Sequence, residues 1–340
     1  MRYFPVVVTS AVLVTAAAAF AQTWGRDGEA PPIDIAKAPA PLFDDPVWHA
    51  PTDPDVLWNP IKKEWTMYYT QRRGTMPNPT GVDWVHGTAI GIATSPDALH
   101  WKYLGTCQGD GGLSDPLKEK VTWWAPGLVW DGDTLHMYVT WVDGIYTRWE
   151  GKRFIKHFTS TDGINFKYVS TAKLSSDRCI DPFVYKVGDT WHMVYKDEAA
   201  GSHIFTASSK DLNDWSDPRD IIHDVSQEGP WVIHWKNSWW MISDPLRERG
   251  LRVYKSENGV DGWVFNSAIL QQPGKRPDDQ RPGAHPAVIV QGDKAIIFYF
   301  VDGGRTTVIQ MAELELGADG KVTCDRDKYA AATTQPAAQK

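Results

Sequence analysis

A short pattern recurs five times along the chain, at a register too regular for chance. Any residue, then Pro, any residue and an aliphatic or similar residue appear at Asp53-Pro54-Asp55-Val56, Ala125-Pro126-Gly127-Leu128, Asp181-Pro182-Phe183-Val184, Gly229-Pro230-Trp231-Val232 and His285-Pro286-Ala287-Val288. Each copy runs into a polar turn, such as Asp131-Gly132-Asp133, and then into an aromatic strand, such as Trp191-His192-Met193-Val194-Tyr195. The central Met or Ile of that strand lies 11 residues after the Pro in four copies, and 13 after it in the first, where the turn is longer. A third strand and a closing segment such as Asp211-Leu212-Asn213-Asp214-Trp215 follow in most copies. Successive prolines are 72, 56, 48 and 56 residues apart, which suits four strands with loops of unequal length. Apolar residues alternate with period two, turn residues sit at the breaks, and no long segment keeps a 3.6-residue period. Four-stranded sheets in radial succession stack about a central channel and leave few open edges. The expected fold is all-β, a five-bladed β-propeller over residues 51–316.

The flanks differ from this core. Residues 1–21 combine one early cation (Arg2), an apolar run and the ending Ala19-Phe20-Ala21, the layout of a secretory signal peptide. Export to the periplasm or beyond, with no membrane attachment after cleavage, is the expectation. No other stretch approaches the roughly 20 apolar residues of a membrane span. Residues 22–50 form a lead-in rich in Pro and Ala, and residues 317–340 read as a disordered tail. Neither is expected to carry chemistry. A formal charge of −7 supplies no basic field for nucleic acid. Cys107, Cys179 and Cys324 are too few for a disulfide framework, so the core must hold the fold. No His-Glu-x-x-His, nucleophile elbow, phosphate loop or dinucleotide fingerprint is present.

In a propeller the first strand of each blade lines the channel. The repeat therefore brings Asp53, Ala125, Asp181, Gly229 and His285 to equivalent points at one mouth, with Glu228 one step earlier in blade four. A single Asp-Pro is commonly a turn. Acids at this place in blades one, three and four form a constellation instead. In an exported chain with 18 Trp, carboxylates around a pocket suit glycoside hydrolysis, in which one acid protonates the leaving oxygen and another activates water or attacks. A further acid nearby would keep the proton donor protonated by like-charge repulsion. Trp124 could wall a sugar site, and His49, His86 and Arg281 flank the motifs as candidates for hydroxyl binding. Trp65, Trp101, Trp191, Trp215, Trp239 and Trp263 recur with the repeat and read as core.

The order Asp-Pro, Trp124-Ala125-Pro126, Ile180-Asp181-Pro182, Glu228-Gly229-Pro230 and Gly283-Ala284-His285-Pro286 resembles glycoside hydrolase family 43 and related five-bladed enzymes. The resemblance implies inverting hydrolysis with Asp53 as general base, Asp181 tuning and orienting the acid, and Glu228 as general acid. It also implies that His285 helps hold an axial calcium or other ion, largely through water, with no organic cofactor. Register favours Asp53 over Asp55, and the insert from Gly74 to Gly87 matches nothing in the pattern. The activity expected is exo-cleavage of plant or algal wall oligosaccharides by an arabinofuranosidase or xylosidase-like enzyme. A similar family that releases 3,6-anhydrogalactose from agar or carrageenan, a retaining fructan hydrolase and a non-catalytic sugar-binding propeller are the alternatives; in the fructan enzymes the acid typically sits in Glu-Cys, where this chain has Glu228-Gly229.

Overall fold

The computed structural model describes residues 30–330, so the expected signal peptide, the start of the lead-in and the end of the tail lie outside the described residues. Blade one comprises β1 (Pro51–Asn59), β2 (Glu64–Gln71), β3 (Ala89–Ser95) and β4 (Lys102–Thr106). A short β5 (Gln108–Gly109) pairs parallel with the last strand of blade two, which comprises β6 (Thr122–Asp131), β7 (Thr134–Val142), β8 (Arg153–Ser160) and β9 (Asn165–Thr171). Blade three is β10 (Cys179–Val187), β11 (Thr190–Asp197), β12 (His203–Ser209) and β13 (Ser216–Ile222). Blade four is β14 (Gln227–Trp235), β15 (Ser238–Pro245), β16 (Leu251–Ser256) and β17 (Val264–Ile269). Blade five is β18 (Gly283–Gln291), β19 (Lys294–Asp302), β20 (Thr307–Leu316) and β21 (Val322–Cys324). The first strands touch in a closed cycle, β1 to β6, β10, β14, β18 and back to β1, which makes the molecule a five-bladed β-propeller.

Burial follows position in the blade. The inner strand β1 is buried at every residue, while the outer β13 is exposed over most of its length. An inner strand covered on both faces has to be apolar or give each polar side chain a partner, as Asp55 of β1 has in Leu128 N–H, and a rim strand does not. The core accordingly lies in wedges between neighbouring blades: Leu57, Trp123 and Leu128 pack between blades one and two, and Val129, Val184 and Met193 between two and three. Trp65, Trp191 and Trp215 are buried, while Trp101, Trp239 and Trp263 are partly buried against the same layers. Most of the tryptophan excess is thus structural.

Four closing turns share one device. Ser95, Ser160, Ser209 and Ser256 are each followed two residues later by Asp97, Asp162, Asp211 or Asn258, whose Oδ1 accepts two backbone N–H groups ahead of it at 2.7–3.0 Å. A short polar side chain that mimics a backbone acceptor fixes such a turn without help from the core.

Both flanks close the ring on blade five. Phe43 forms an antiparallel bridge to Ile309 of β20, and Thr307 donates from Oγ1 to the Pro51 carbonyl at 2.6 Å. Ile33, Ile35, Leu42 and Phe43 are buried in the largest core cluster. The tail departs from the expectation of disorder as far as residue 330: β21 pairs with β20, and Arg326 lies buried beside Asp279, which also meets Arg276 at 3.2 Å. Tyr299 donates to the same carboxyl at 3.2 Å. Burial pushes the Asp279 carboxyl up despite the pull of both guanidinium groups, so the cluster works as a latch whose removal is costlier than its presence is stabilising. Asp279→Ala leaves two buried cations without a carboxylate, with carbonyls as their remaining acceptors, and should lower stability by about 3–5 kcal/mol in urea unfolding; a loss below about 1 kcal/mol would show that the latch holds nothing.

Candidate active site

The five repeat positions share a backbone conformation as well as a register. Asp53, Ala125, Asp181, Gly229 and His285 all have positive φ, of 52°, 42°, 57°, 54° and 42°. At each of them the ladder to the second strand slips, so that the residue stands out of the pairing as a bulge. A left-handed residue is unfavourable for any side chain other than glycine, and here each also precedes a proline. What the bulge achieves is direction: it turns the Asp53, Asp181 and His285 side chains into one pocket.

The freed N–H of each bulge needs an acceptor, and in four of the five the preceding blade provides it. Ala125 N–H donates to Thr70 Oγ1 at 2.7 Å, Asp181 N–H to Thr140 Oγ1 at 3.0 Å, and His285 N–H to Asp244 Oδ2 at 3.2 Å. Thr70, Thr140, Lys196, Asp244 and Phe300 are equivalent, each paired with the residue just before a bulge. Lys196 cannot accept, so Gly229 N–H goes instead to Asp181 Oδ2 at 3.2 Å, and Lys196 Nζ reaches Glu228 at 2.8 Å. Gly229 is required on a second count, since a Cβ there would lie 2.9 Å from the His285 ring.

These groups surround a pocket of about 330 Å³ lined by Asp53, Asp181, Glu228, His285, Arg72, Lys196, Glu198, Trp124 and Trp149 among others. Asp53, Asp181, Glu228 and His285, drawn from four blades, are therefore brought together. Asp55, by contrast, points into the blade interface and accepts from Leu128 N–H at 2.6 Å. Burial opposes ionisation of Asp53, but His285 at 3.2 Å, Arg72 at 3.7 Å and the Thr70 and Thr52 hydroxyls outweigh it and hold the carboxyl below its ordinary range. Burial, assisted by the charge of Glu228, pushes Asp181 up to about 7, against the opposing pull of His285. Burial also opposes ionisation of Glu228, yet the Lys196 ion pair wins and lowers it. Glu228 keeps 31% of its side-chain surface open, against a nearly closed Asp181. Asp244 is raised by burial and then by Glu228.

The other candidates divide. Trp124 lines the pocket but is only 6% exposed, with Nε1 donating to the Val85 carbonyl at 2.6 Å. His86 is fully buried behind it, ring centroids 5.0 Å apart, and so meets no ligand directly. His49 and Arg281 are corrected: both line a separate recess, where His49 Nδ1 pairs with Asp44 at 2.7 Å, because the lead-in and the loop before β18 turn away from the axis. Among the described residues no three His, Cys, Asp or Glu are grouped to hold a metal, and His285 Nδ1 is turned to Asp53, so the side chains do not fit a directly ligated ion. All three cysteines are free thiols, and among the described residues no helix is long and apolar enough to cross a membrane. Lys196, Asp244, Arg72 and Trp149 were not foreseen; Lys196 and Asp244 each lie 14 residues after a repeat proline, a signal in plain sight.

No family model and no curated protein matches the sequence. Solved structures do match. A thermostable family-43 glycoside hydrolase aligns at a TM-score of 0.62 and 18% identity, over 83% of this chain and 96% of that one. A β-xylosidase aligns at 0.64 and 12%, over 81% and 95%. A Bombyx mori family-32 β-fructofuranosidase aligns at 0.64 and 16%, over 86% and 66%. At such identities the likeness establishes the five-bladed fold.

The folded-state proton on Asp244 gives a signed prediction. A carboxyl raised above its unfolded value near 3.9 binds a proton that the unfolded chain has released, so stability falls as pH climbs past about 4. Asp244→Asn keeps an acceptor for His285 N–H and removes that penalty. It should melt about 2 °C or more above the parent at pH 8 and level with it at pH 4; a lower melting temperature at pH 8 would contradict a proton-bearing Asp244.

Proposed function

We propose that the protein is an exported glycosidase that hydrolyses oligosaccharides with inversion at the anomeric carbon. One observation carries the proposal: around a single pocket, Asp53 is biased toward the carboxylate and Asp181 toward the acid. Pairs of carboxyl groups pushed apart in this way are what an acid–base hydrolysis at near-neutral pH needs. Asp53, faced by His285 and Arg72, takes a proton from water as the water attacks. The leaving oxygen takes a proton from the Asp181–Glu228 pair. Glu228 is the donor by access, being the more open of the two, whereas Asp181 holds the proton at rest because it is buried and because Lys196 keeps the neighbouring Glu228 ionised. The sugar has to loosen the Lys196 contact so that Glu228 can take the proton from Asp181 and pass it to the leaving oxygen, which leaves both carboxyls ionised until a proton returns from solvent.

A pocket of about 330 Å³ is at the small end of ligand sites, about 300–1,000 Å³, which supports attack on a terminal sugar. The family-43 neighbour supports glycoside hydrolysis and the β-xylosidase neighbour a pentose substrate, for which plant or algal wall oligosaccharides are the proposed source, and the expected leader supports export. Retention by direct attack of Asp53, as the β-fructofuranosidase likeness would suggest, is the second reading.

Two measurements decide. Glu228→Gln should lose about 10²–10⁴-fold on glycosides with poor leaving groups and far less on those with activated aryl leaving groups. If Asp181→Asn shows that leaving-group pattern and Glu228→Gln does not, Asp181 is the donor. Proton NMR of the first-formed sugar should show the anomer opposite to the bond cleaved; early retention would make Asp53 a nucleophile.

A further inference from the structure

We infer that Trp149 is a stacking platform for a second sugar ring, the one on the leaving-group side of the scissile bond. The inference rests on the glycosidase reading for which side of the bond is meant, though not for the binding itself. Trp149 is 59% exposed, a large apolar surface left in water, while every other tryptophan among the described residues is buried or partly buried. It lies on the pocket that holds Asp53 and Glu228. Asp53 and Asp181 are 5% and 6% exposed, so the acids mark the floor and the indole marks the rim. A sugar whose anomeric carbon reaches the floor would have to pass its next ring over that rim.

The platform is built, not merely exposed. Trp149 stands with its centroid 6.0 Å from Trp124 and 6.4 Å from His86. Burial, with Arg153 beside it, pushes the His86 imidazole down to about 4, so the ring behind the platform is neutral and the wall apolar. Two loops hold this wall. The insert between Gly74 and Gly87, which the repeat leaves unexplained, is tied back by Arg73, whose Nε donates to the His86 carbonyl at 2.8 Å. Val82 N–H then donates to the Thr147 carbonyl at 3.0 Å, joining the insert to the loop that carries Trp149. Within that loop Asp143 accepts from Tyr146 and from Lys152 N–H at 2.8 and 3.0 Å. A flat apolar face fixed beside polar groups is suited to the C–H face of a pyranose, whose hydroxyls stay in water at the edge.

The test is a calorimetric titration in an Asp53→Asn background, which stops turnover. The probes are the disaccharides and trisaccharides of xylose, arabinose and agar-type galactose, together with their methyl monoglycosides. Adding Trp149→Ala should weaken the disaccharide and trisaccharide that bind best by about 5- to 30-fold, weaken the methyl monoglycoside by less than about twofold, and be largely restored by Trp149→Phe. Equal weakening of one-ring and two-ring probes, or no weakening of either, overturns the platform. If the parent protein cleaves none of the probes yet the two-ring loss is seen, the platform stands and the hydrolase reading falls. Failure of every probe to bind overturns both.

Discussion

Everything at the axis follows from one backbone choice, the left-handed residue ahead of each repeat proline. Strain at such positions amounts to roughly 1–3 kcal/mol each for a residue other than glycine, and it recurs in four of the five blades, blade four having Gly229 there. It persists because the surroundings over-determine it. The proline fixes the residue that follows, the second strand pairs on either side of the slip, and a side chain of an adjacent blade receives the freed N–H in four of the five positions. Removing any one acceptor would leave a buried donor unpaired, which is more expensive than losing a hydrogen bond in water. The same contacts that steady the bulges also join blade to blade around the ring.

Function enters where the ring departs from its own symmetry. Thr70 and Thr140 fill the acceptor place in blades one and two, where the bulge residues they hold are Ala125 and Asp181. In blade three that place is Lys196, in blade four Asp244, in blade five Phe300. The substitutions bring one cation, one acid and one apolar ring against the acids of the pocket. Lys196 ionises Glu228, Asp244 steadies His285, and Arg72 lies over the Phe300 ring at 5.5 Å while facing Asp53. Opposite protonation of neighbouring carboxyls thus comes from which blade each one occupies.

Much of this was legible in the residues. Asp53, Asp181, Glu228 and His285 could be aligned because each is chemically distinctive and sits at a fixed offset from a proline. Lys196 and Asp244 sit at an equally fixed offset, but Lys196-Asp197 and Asp244-Pro245 look like strand ends, and nothing local says that their side chains face the channel. His49 and Arg281 misled because closeness in sequence to a motif says little once a bulge has turned the chain: Arg281 offers its carbonyl to Arg326 and its side chain to a different recess. The tail was judged by the composition of its last residues, whereas Val322–Cys324 is too short to show a period and Arg326 finds Asp279 47 residues back. Exposure of Trp149 depends on loops whose packing no pattern encodes.

The 3.2 Å contact between Asp53 and His285 joins the first blade to the last, across 232 residues of chain. During synthesis Asp53 emerges early and its imidazole partner only when the fifth blade is being made. Until that blade docks, a closed niche around Asp53 would hold a carboxylate facing Arg72 without its imidazole neighbour, so closing the ring and completing the pocket are a single event. Such long-range contacts form late, after the entropy of closing the intervening loop has been met. A chain still being made would carry all the acids of the pocket and yet have no pocket, and its carboxyls would face one another only with the final blade in place.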